Sequence, residues 1–98
     1  MTGKSFIAEL RAKPGRANEL IALQAELKKL VFEQERDALV YEVFRSDDDP
    51  DVFQIVATFR NDAAFDHHMQ IDFHDRLVPP ILDCIDGEMK LAFYRSLG

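Results

Sequence analysis

The chain has three histidines, His67, His68 and His74, and all of them fall within one run of eight residues. Imidazole is the side chain best suited to moving protons near neutral pH. His68 and His74 are therefore candidates for acid/base work on a common substrate. The plainer alternative is that histidines on a short surface helix are simply solvated. A metal is a third reading, because His68, Asp72 and His74 offer three ligands. They form no recognised ligand motif such as His-Glu-x-x-His. Asp72 fits better as a helix cap, and no metal is expected.

Other reactive residues carry less. Cys84 is the only cysteine and sits in the apolar run Ile81-Leu82-Asp83-Cys84-Ile85, where it reads as a small buried hydrophobe. One cysteine rules out an intrachain disulfide framework and fits a cytoplasmic protein. The acidic run Asp47-Asp48-Asp49-Pro50-Asp51 lacks the spacing and glycine of a calcium loop, so it reads as a solvated turn. Gly3, Gly15, Gly87 and Gly98 are isolated. No glycine-rich phosphate loop is available for a flavin or nicotinamide, and no cofactor is expected.

The elements that position these residues are visible in the apolar periodicity. Phe6, Ala8, Leu10 and Ala12 alternate with Ile7, Glu9, Arg11 and Lys13, which predicts a half-buried strand ended by Lys13-Pro14-Gly15. From Arg16 to about Glu35 the period changes. Leu20, Leu23, Leu27 and Leu30, with Ala17, Ile21 and Val31, form one stripe of an amphipathic helix. Glu19, Gln24, Glu26, Lys28, Lys29 and Glu33 are expected mainly on its polar side. A second strand is predicted from about Leu39 to Arg45, with Leu39, Tyr41 and Val43 facing one way and Val40, Glu42 and Phe44 the other. The third covers about Val52 to Arg60, with Phe53, Ile55, Ala57 and Phe59 on one face. Asn61 is a suitable N-cap for a short helix to about Met69. Asp72 is expected to cap another, ending near Pro79-Pro80. A last strand is expected from about Glu88 to Arg95.

This order is β, α, β, β, α, β with the second helical part broken in two. It predicts one α+β domain over residues 1–98, a ferredoxin-like βαββαβ antiparallel sheet with helices on one face. The 47% hydrophobic and 31% charged content argues against disorder. A net charge of −6 with scattered basic residues argues against nucleic acid. Neither a leader peptide nor a membrane-spanning run is apparent, so no membrane partner is expected.

Both faces of the predicted sheet carry large apolar side chains. Phe53, Ile55, Phe59, Leu91 and Phe93 lie on one face, and Val40, Phe44, Val52, Val56 and Tyr94 on the other. Helices can cover only one face, and a large bare apolar patch is rare on a soluble monomer. Sheet-to-sheet packing about a two-fold axis supplies the second cover, so a homodimer is expected.

Several segments, in order, carry a resemblance. They are Lys13-Pro14-Gly15-Arg16 before a long helix, Leu39-Val40-Tyr41-Glu42-Val43, the Asp49-Pro50 turn, Phe53-Gln54-Ile55, Ala64, and the pair His68 and His74. Over nearly its whole length the chain resembles the antibiotic-biosynthesis-monooxygenase family of dimeric α/β barrels. The resemblance implies a pocket between sheet and helices, roofed by the histidine-bearing segment. It implies a cofactor-independent monooxygenase acting with O2 on a small quinol or other aromatic or polyketide-like substrate. His68 and His74 are then the acid/base candidates. Tyr41 is the polar anchor, and Phe32, Phe53, Phe59, Phe65 and Phe73 are the candidate apolar lining. Proton transfer on a small carbonyl compound, as in an isomerase, and non-catalytic ligand binding are the alternatives. Two departures stand out. Asp37-Ala38 replaces a common Gly-Cys pair, and Ala57-Thr58-Phe59 replaces a common Glu-x-aromatic, so a family carboxylate is missing from the third strand. Haem degradation is disfavoured, because those relatives use a tryptophan and this chain has none.

Overall fold

A computed structural model describes residues 3–97. The reading of the first residues as free of a leader touches Met1 and Thr2, which lie outside the described residues. Seven elements follow in order: β1 (Lys4–Arg11), α1 (Ala17–Gln34), β2 (Ala38–Arg45), β3 (Val52–Phe59), α2 (Asp62–Gln70), α3 (Asp72–Asp83) and β4 (Lys90–Arg95). The strands form one antiparallel sheet in the order β2-β3-β1-β4. This is the α+β ferredoxin-like architecture that the alternation of periods predicts.

The inner face of the sheet follows from side-chain alternation. Phe6, Ala8 and Leu10 of β1 and Phe53, Ile55, Ala57 and Phe59 of β3 are all buried under the helices. Leu20, Gln24, Leu27 and Val31 form the buried stripe of α1 at steps of four, three and four residues. The turn before α1 needs Gly15, whose φ of 77° lies in the left-handed region, and Gly87 plays the same part before β4 at 84°. Asn61 caps α2 as expected, its Oδ1 accepting from the Ala64 amide at 2.9 Å.

Three local expectations are corrected. Leu39 does not share the face of Tyr41. Ala38 pairs with Phe59 and Val40 with Thr58, so Leu39 is the extra residue of a bulge and lies half exposed. Asp72 makes no side-chain cap. The N-cap position of α3 is Ile71, and Asp72 stands inside the first turn, where its charge still suits the helix dipole. Finally, α3 does not stop at the prolines but runs through Pro79-Pro80 to Asp83. Phe73, Leu77 and Ile81 are buried at helical spacing across that pair. Packing outweighs the two lost amide donors, and the freed carbonyls belong to the exposed residues Asp75 and Arg76.

The outer face is mixed. By register it carries Ile7, Val40, Phe44, Val52, Val56, Ala92 and Tyr94, interleaved with Ser5, Glu9, Glu42, Gln54, Thr58 and Lys90. No helix among the described residues is long and apolar enough to cross a membrane. On the inner face, α1 packs on β2 and α2 on β3. The edge strand β4 lies beyond them, so Leu91 and Phe93 stay about half exposed although they pair with the buried Ala8 and Phe6.

Candidate active site

That uneven coverage opens a cavity of about 190 Å³ between the sheet and the helices. Its walls are mostly apolar. Leu27, Ile55 and Ile81 line its interior, and Phe65, Leu91 and Phe93 stand toward β4. The polar groups on the wall are Gln24, Tyr41, His68 and His74.

His68 is held from behind. Its Nδ1 lies 2.9 Å from Oε2 of Glu35, and the two side chains are only 2% and 3% exposed. A carboxylate can only accept, so Nδ1 carries the hydrogen of this bond. In the neutral ring the lone pair then falls on Nε2. The His68 ring packs on Phe59 at 4.8 Å and meets His74 edge to face at 4.7 Å between centroids. These contacts set the imidazole's plane as well as its tautomer.

His74 stands beside it on the same wall. Burial holds its pKa below the usual histidine range, and the neighbouring His68 adds to the effect, against a smaller opposing pull from Asp75 and Glu35. Its Nδ1 is buried without a hydrogen-bond partner. Tyr41 is 2% exposed, and burial, assisted by the charge of Glu35, pushes its phenol well above the usual range. Tyr41 is therefore a neutral hydroxyl that can donate, not a base. Burial also raises the Cys84 thiol, which keeps it protonated and fits the apolar reading of that residue.

Of the residues singled out in the sequence, Tyr41, Phe65, His68 and His74 meet at this cavity. The others stand elsewhere. Phe59 is fully buried behind His68, Phe65 and Phe6, and reaches the site only through those rings. Phe73 belongs to the core under α3. Phe53 is buried against α1 and borders a separate depression with Ile21, Lys28 and Phe44. Phe32 is 48% exposed, because it follows Val31 and so turns off the buried stripe of α1. His67 is exposed on the far side of α2. Among the described residues, no three His, Cys, Asp or Glu side chains are gathered to hold a metal.

Two site residues escaped the sequence reading. The sequence pattern puts Gln24 on the polar side of α1 and Glu35 only at its end, yet both are buried. Helical arithmetic contains the signal. Gln24, Leu27, Val31 and Glu35 follow one another at three- and four-residue steps, so both polar residues lie on the apolar stripe. Ala57, at the third-strand position where the family resemblance implies a glutamate, is fully buried. The buried carboxylate of this protein comes instead from the end of α1.

A ferredoxin-like domain with an apolar cavity between sheet and helices, its wall fitted with a carboxylate-backed imidazole, defines a class of small pocketed α+β proteins. Within that class, the chain belongs to the antibiotic biosynthesis monooxygenase family, whose profile matches residues 5–78. The matched stretch contains Gln24, Glu35, Tyr41, His68 and His74, while the wall from Ile81 to Phe93 lies beyond it. Solved structures share the fold at low identity. A conserved protein from Methanosarcina mazei is 21% identical, with 98% of this chain and 94% of that one covered and a TM-score of 0.91. A Caulobacter crescentus protein, named provisionally as an antibiotic biosynthesis monooxygenase, is 20% identical over 98% and 91% of the two chains, with a TM-score of 0.93. A Bacteroides thetaiotaomicron protein of unknown function, suggested to be an oxidoreductase, is 22% identical over 96% and 97%, with a TM-score of 0.88. No curated protein matches the chain.

Proposed function

We propose that this protein is a cofactor-independent monooxygenase acting on a small quinol or related aromatic held in the cavity. The observation that carries the reading is the buried hydrogen bond from His68 Nδ1 to Glu35 at the wall of an apolar pocket. Nε2 of His68 takes the phenolic proton, and Glu35 stabilises the imidazolium that forms. His74, held neutral, is the second acceptor. Tyr41 donates to the developing phenolate oxygen. The electron-rich ring anion passes one electron to O2, and the radical pair recombines at an open ring carbon to give a hydroperoxide. The C–H bond at that carbon and the O–O bond then break. One oxygen atom stays as a quinone carbonyl and the other leaves as water, so phenol plus O2 gives quinone plus water. The apolar walls favour this sequence by binding the ring and excluding bulk water.

We further propose that the working form is a cytoplasmic homodimer whose outer sheet faces pack together. The apolar strip of Val40, Phe44, Val56 and Tyr94 supports this, since each such side chain is worth about 1.5–3 kcal/mol once fully covered.

Oxygen consumption with a panel of hydroquinones, in the presence of a chelator, tests the chemistry. The expected result is uptake equimolar with quinone formed, and its loss in the His68→Gln, His74→Gln double variant. Folded protein that binds the ring compounds but consumes no O2 would remove the oxygenase reading. Proton exchange at carbon beside a carbonyl would then point to an isomerase, and binding alone to a carrier.

A further inference from the structure

We propose that Asp62, Phe65, Phe93 and Arg95 latch α2 to β4 across the mouth of the cavity, and that release of this latch admits and discharges whatever the cavity holds. The inference concerns access and stands whichever reaction the cavity performs. Exposure locates the mouth. Phe6, Leu27, Tyr41, Ile55, His68 and Ile81 form a buried interior. Met69 of α2, Leu82 of α3, and Leu91 and Phe93 of β4 line the same space but are about half exposed. A molecule arriving from solvent therefore passes between the two helices and β4.

Two contacts bridge that gap, and they are in register. Asp62 and Phe65 stand three residues apart, on one face of α2. Phe93 and Arg95 stand two apart, on one face of β4. Oδ1 of Asp62 accepts from Nη1 of Arg95 at 2.7 Å, and the Phe65 ring meets Phe93 edge to face at 5.6 Å between centroids. Lys4, the ladder partner of Arg95, holds its Nζ 4.7 Å from the Phe93 centroid and 5.6 Å from that of Phe65, so one ammonium ties both rings.

The elements so joined have few other restraints. β4 is an edge strand that pairs with β1 alone and has no buried residue. α2 runs between extended residues, Asn61 and Ile71, and His68 is its single buried side chain. The bond from His68 to Glu35 pins the last turn of α2. The first turn has instead the latch and the packing of Phe65 on Phe6 and Phe59. Opening at that end leaves the His68–Glu35 bond in place. Both members of the Asp62–Arg95 pair are water-accessible, at 65% and 44% exposed. An exposed ion pair is weak and screened by salt, which suits a contact that must break and re-form.

Carbethoxylation by diethyl pyrocarbonate tests this without any substrate. The reagent must pass the mouth to reach His68 or His74, whereas His67 is exposed and reports its reactivity in the same molecule. Peptide mass spectrometry gives the rate at each histidine, at low and at high salt. In Arg95→Gln the combined rate at His68 and His74, relative to His67, is expected to rise about two- to fivefold, the range that an exposed ion pair spans. Arg95→Lys is expected to restore the wild-type ratio. High salt is expected to raise the ratio in the wild-type protein and to leave Arg95→Gln unchanged. Lys90→Gln breaks a different ion pair of the same strand, with Glu9, and is expected to change nothing. An unchanged ratio in Arg95→Gln would overturn the proposal. So would an equal rise in Lys90→Gln, since that would mean a general loosening of β4 and no latch.

Discussion

Nδ1 of His68 and Oε2 of Glu35 meet at 2.9 Å across the end of α1, and water is almost wholly excluded from both. The pair joins elements 33 residues apart in sequence. It fixes one imidazole tautomer with its basic nitrogen left free. A hydrogen bond to a charged group is worth about 1.5–3 kcal/mol, or about 10–100-fold in rate when it acts in the transition state. Glu35→Gln is expected to lower turnover by that range. A neutral amide can pair with either tautomer and cannot stabilise the imidazolium. Stability should fall less in Glu35→Gln than in Glu35→Ala, which leaves a buried ring nitrogen unpaired at about 1–3 kcal/mol. Nitrogen chemical shifts of His68 report the tautomer directly. Wild-type rates in Glu35→Gln, with the tautomer unchanged, would reduce the pair to a structural contact.

Much of this arrangement is legible in the sequence, and the exceptions share a cause. Period-two alternation in β1 and β3 and the leucine stripe of α1 reflect burial by many neighbours at once, so the pattern survives single irregularities. The two histidines were recognisable because their side-chain type is rare and chemically specific. Gln24 and Glu35 were not, because a polar residue on an apolar stripe looks like a boundary until its partner is known. For Glu35 that partner, His68, is brought near only by the fold. Leu39 was misplaced for a related reason. A one-residue bulge reverses facing, and no local residue type signals it. Phe32 and Phe53 have the aromatic character of a pocket lining, but that character says only that a side chain is apolar and not which cavity it meets.

The proline pair in α3 gives a stability test. Pro79 is exposed, lies beyond the first turn, and leaves the Asp75 carbonyl without an amide donor. Proline in a helix interior costs about 3 kcal/mol relative to alanine. The native backbone already accommodates this one, so part of that cost is relieved. Pro79→Ala is expected to stabilise by about 1 kcal/mol or more in chemical denaturation. A destabilised variant would mean that the pyrrolidine ring itself makes contacts α3 depends on.

Covering the outer sheet face predicts a different kind of sensitivity. Phe44 is 52% exposed on β2, and Val56, opposite Glu42, stands on the same face of β3. In light scattering the wild-type protein is expected at the mass of two chains. Phe44→Lys and Val56→Lys should each shift it toward one chain, because a buried unpaired ammonium adds to the loss of about 1.5–3 kcal/mol per apolar side chain. The inner-face cavity is remote from both substitutions, so circular dichroism should stay native. A wild-type mass of one chain at high concentration would end the proposal of a covered face.

His74 makes the protein sensitive to mild acid in a direction that can be worked out. Its folded pKa lies below the ordinary value of about 6.5, mainly through burial and secondly through His68, with Asp75 and Glu35 acting the other way. Above about pH 7.5 both the folded and unfolded forms hold it neutral, and it contributes nothing to pH dependence. As pH falls through 6.5 the unfolded chain takes up the proton first. The slope of unfolding free energy with pH is then positive, and stability drops until the depressed folded value is passed. Carboxylates add their own losses at lower pH, so the informative quantity is a difference between proteins. Between pH 7.5 and 5.5 the wild-type protein is expected to lose more stability than His74→Gln, measured by denaturant titration at each pH. For the same reason, the fraction of His74 available as a base should persist somewhat below pH 6.5. Identical pH profiles for wild type and His74→Gln would mean that this imidazole titrates as freely in the folded protein as in the unfolded chain. Its place as a buried neutral acceptor would then be lost.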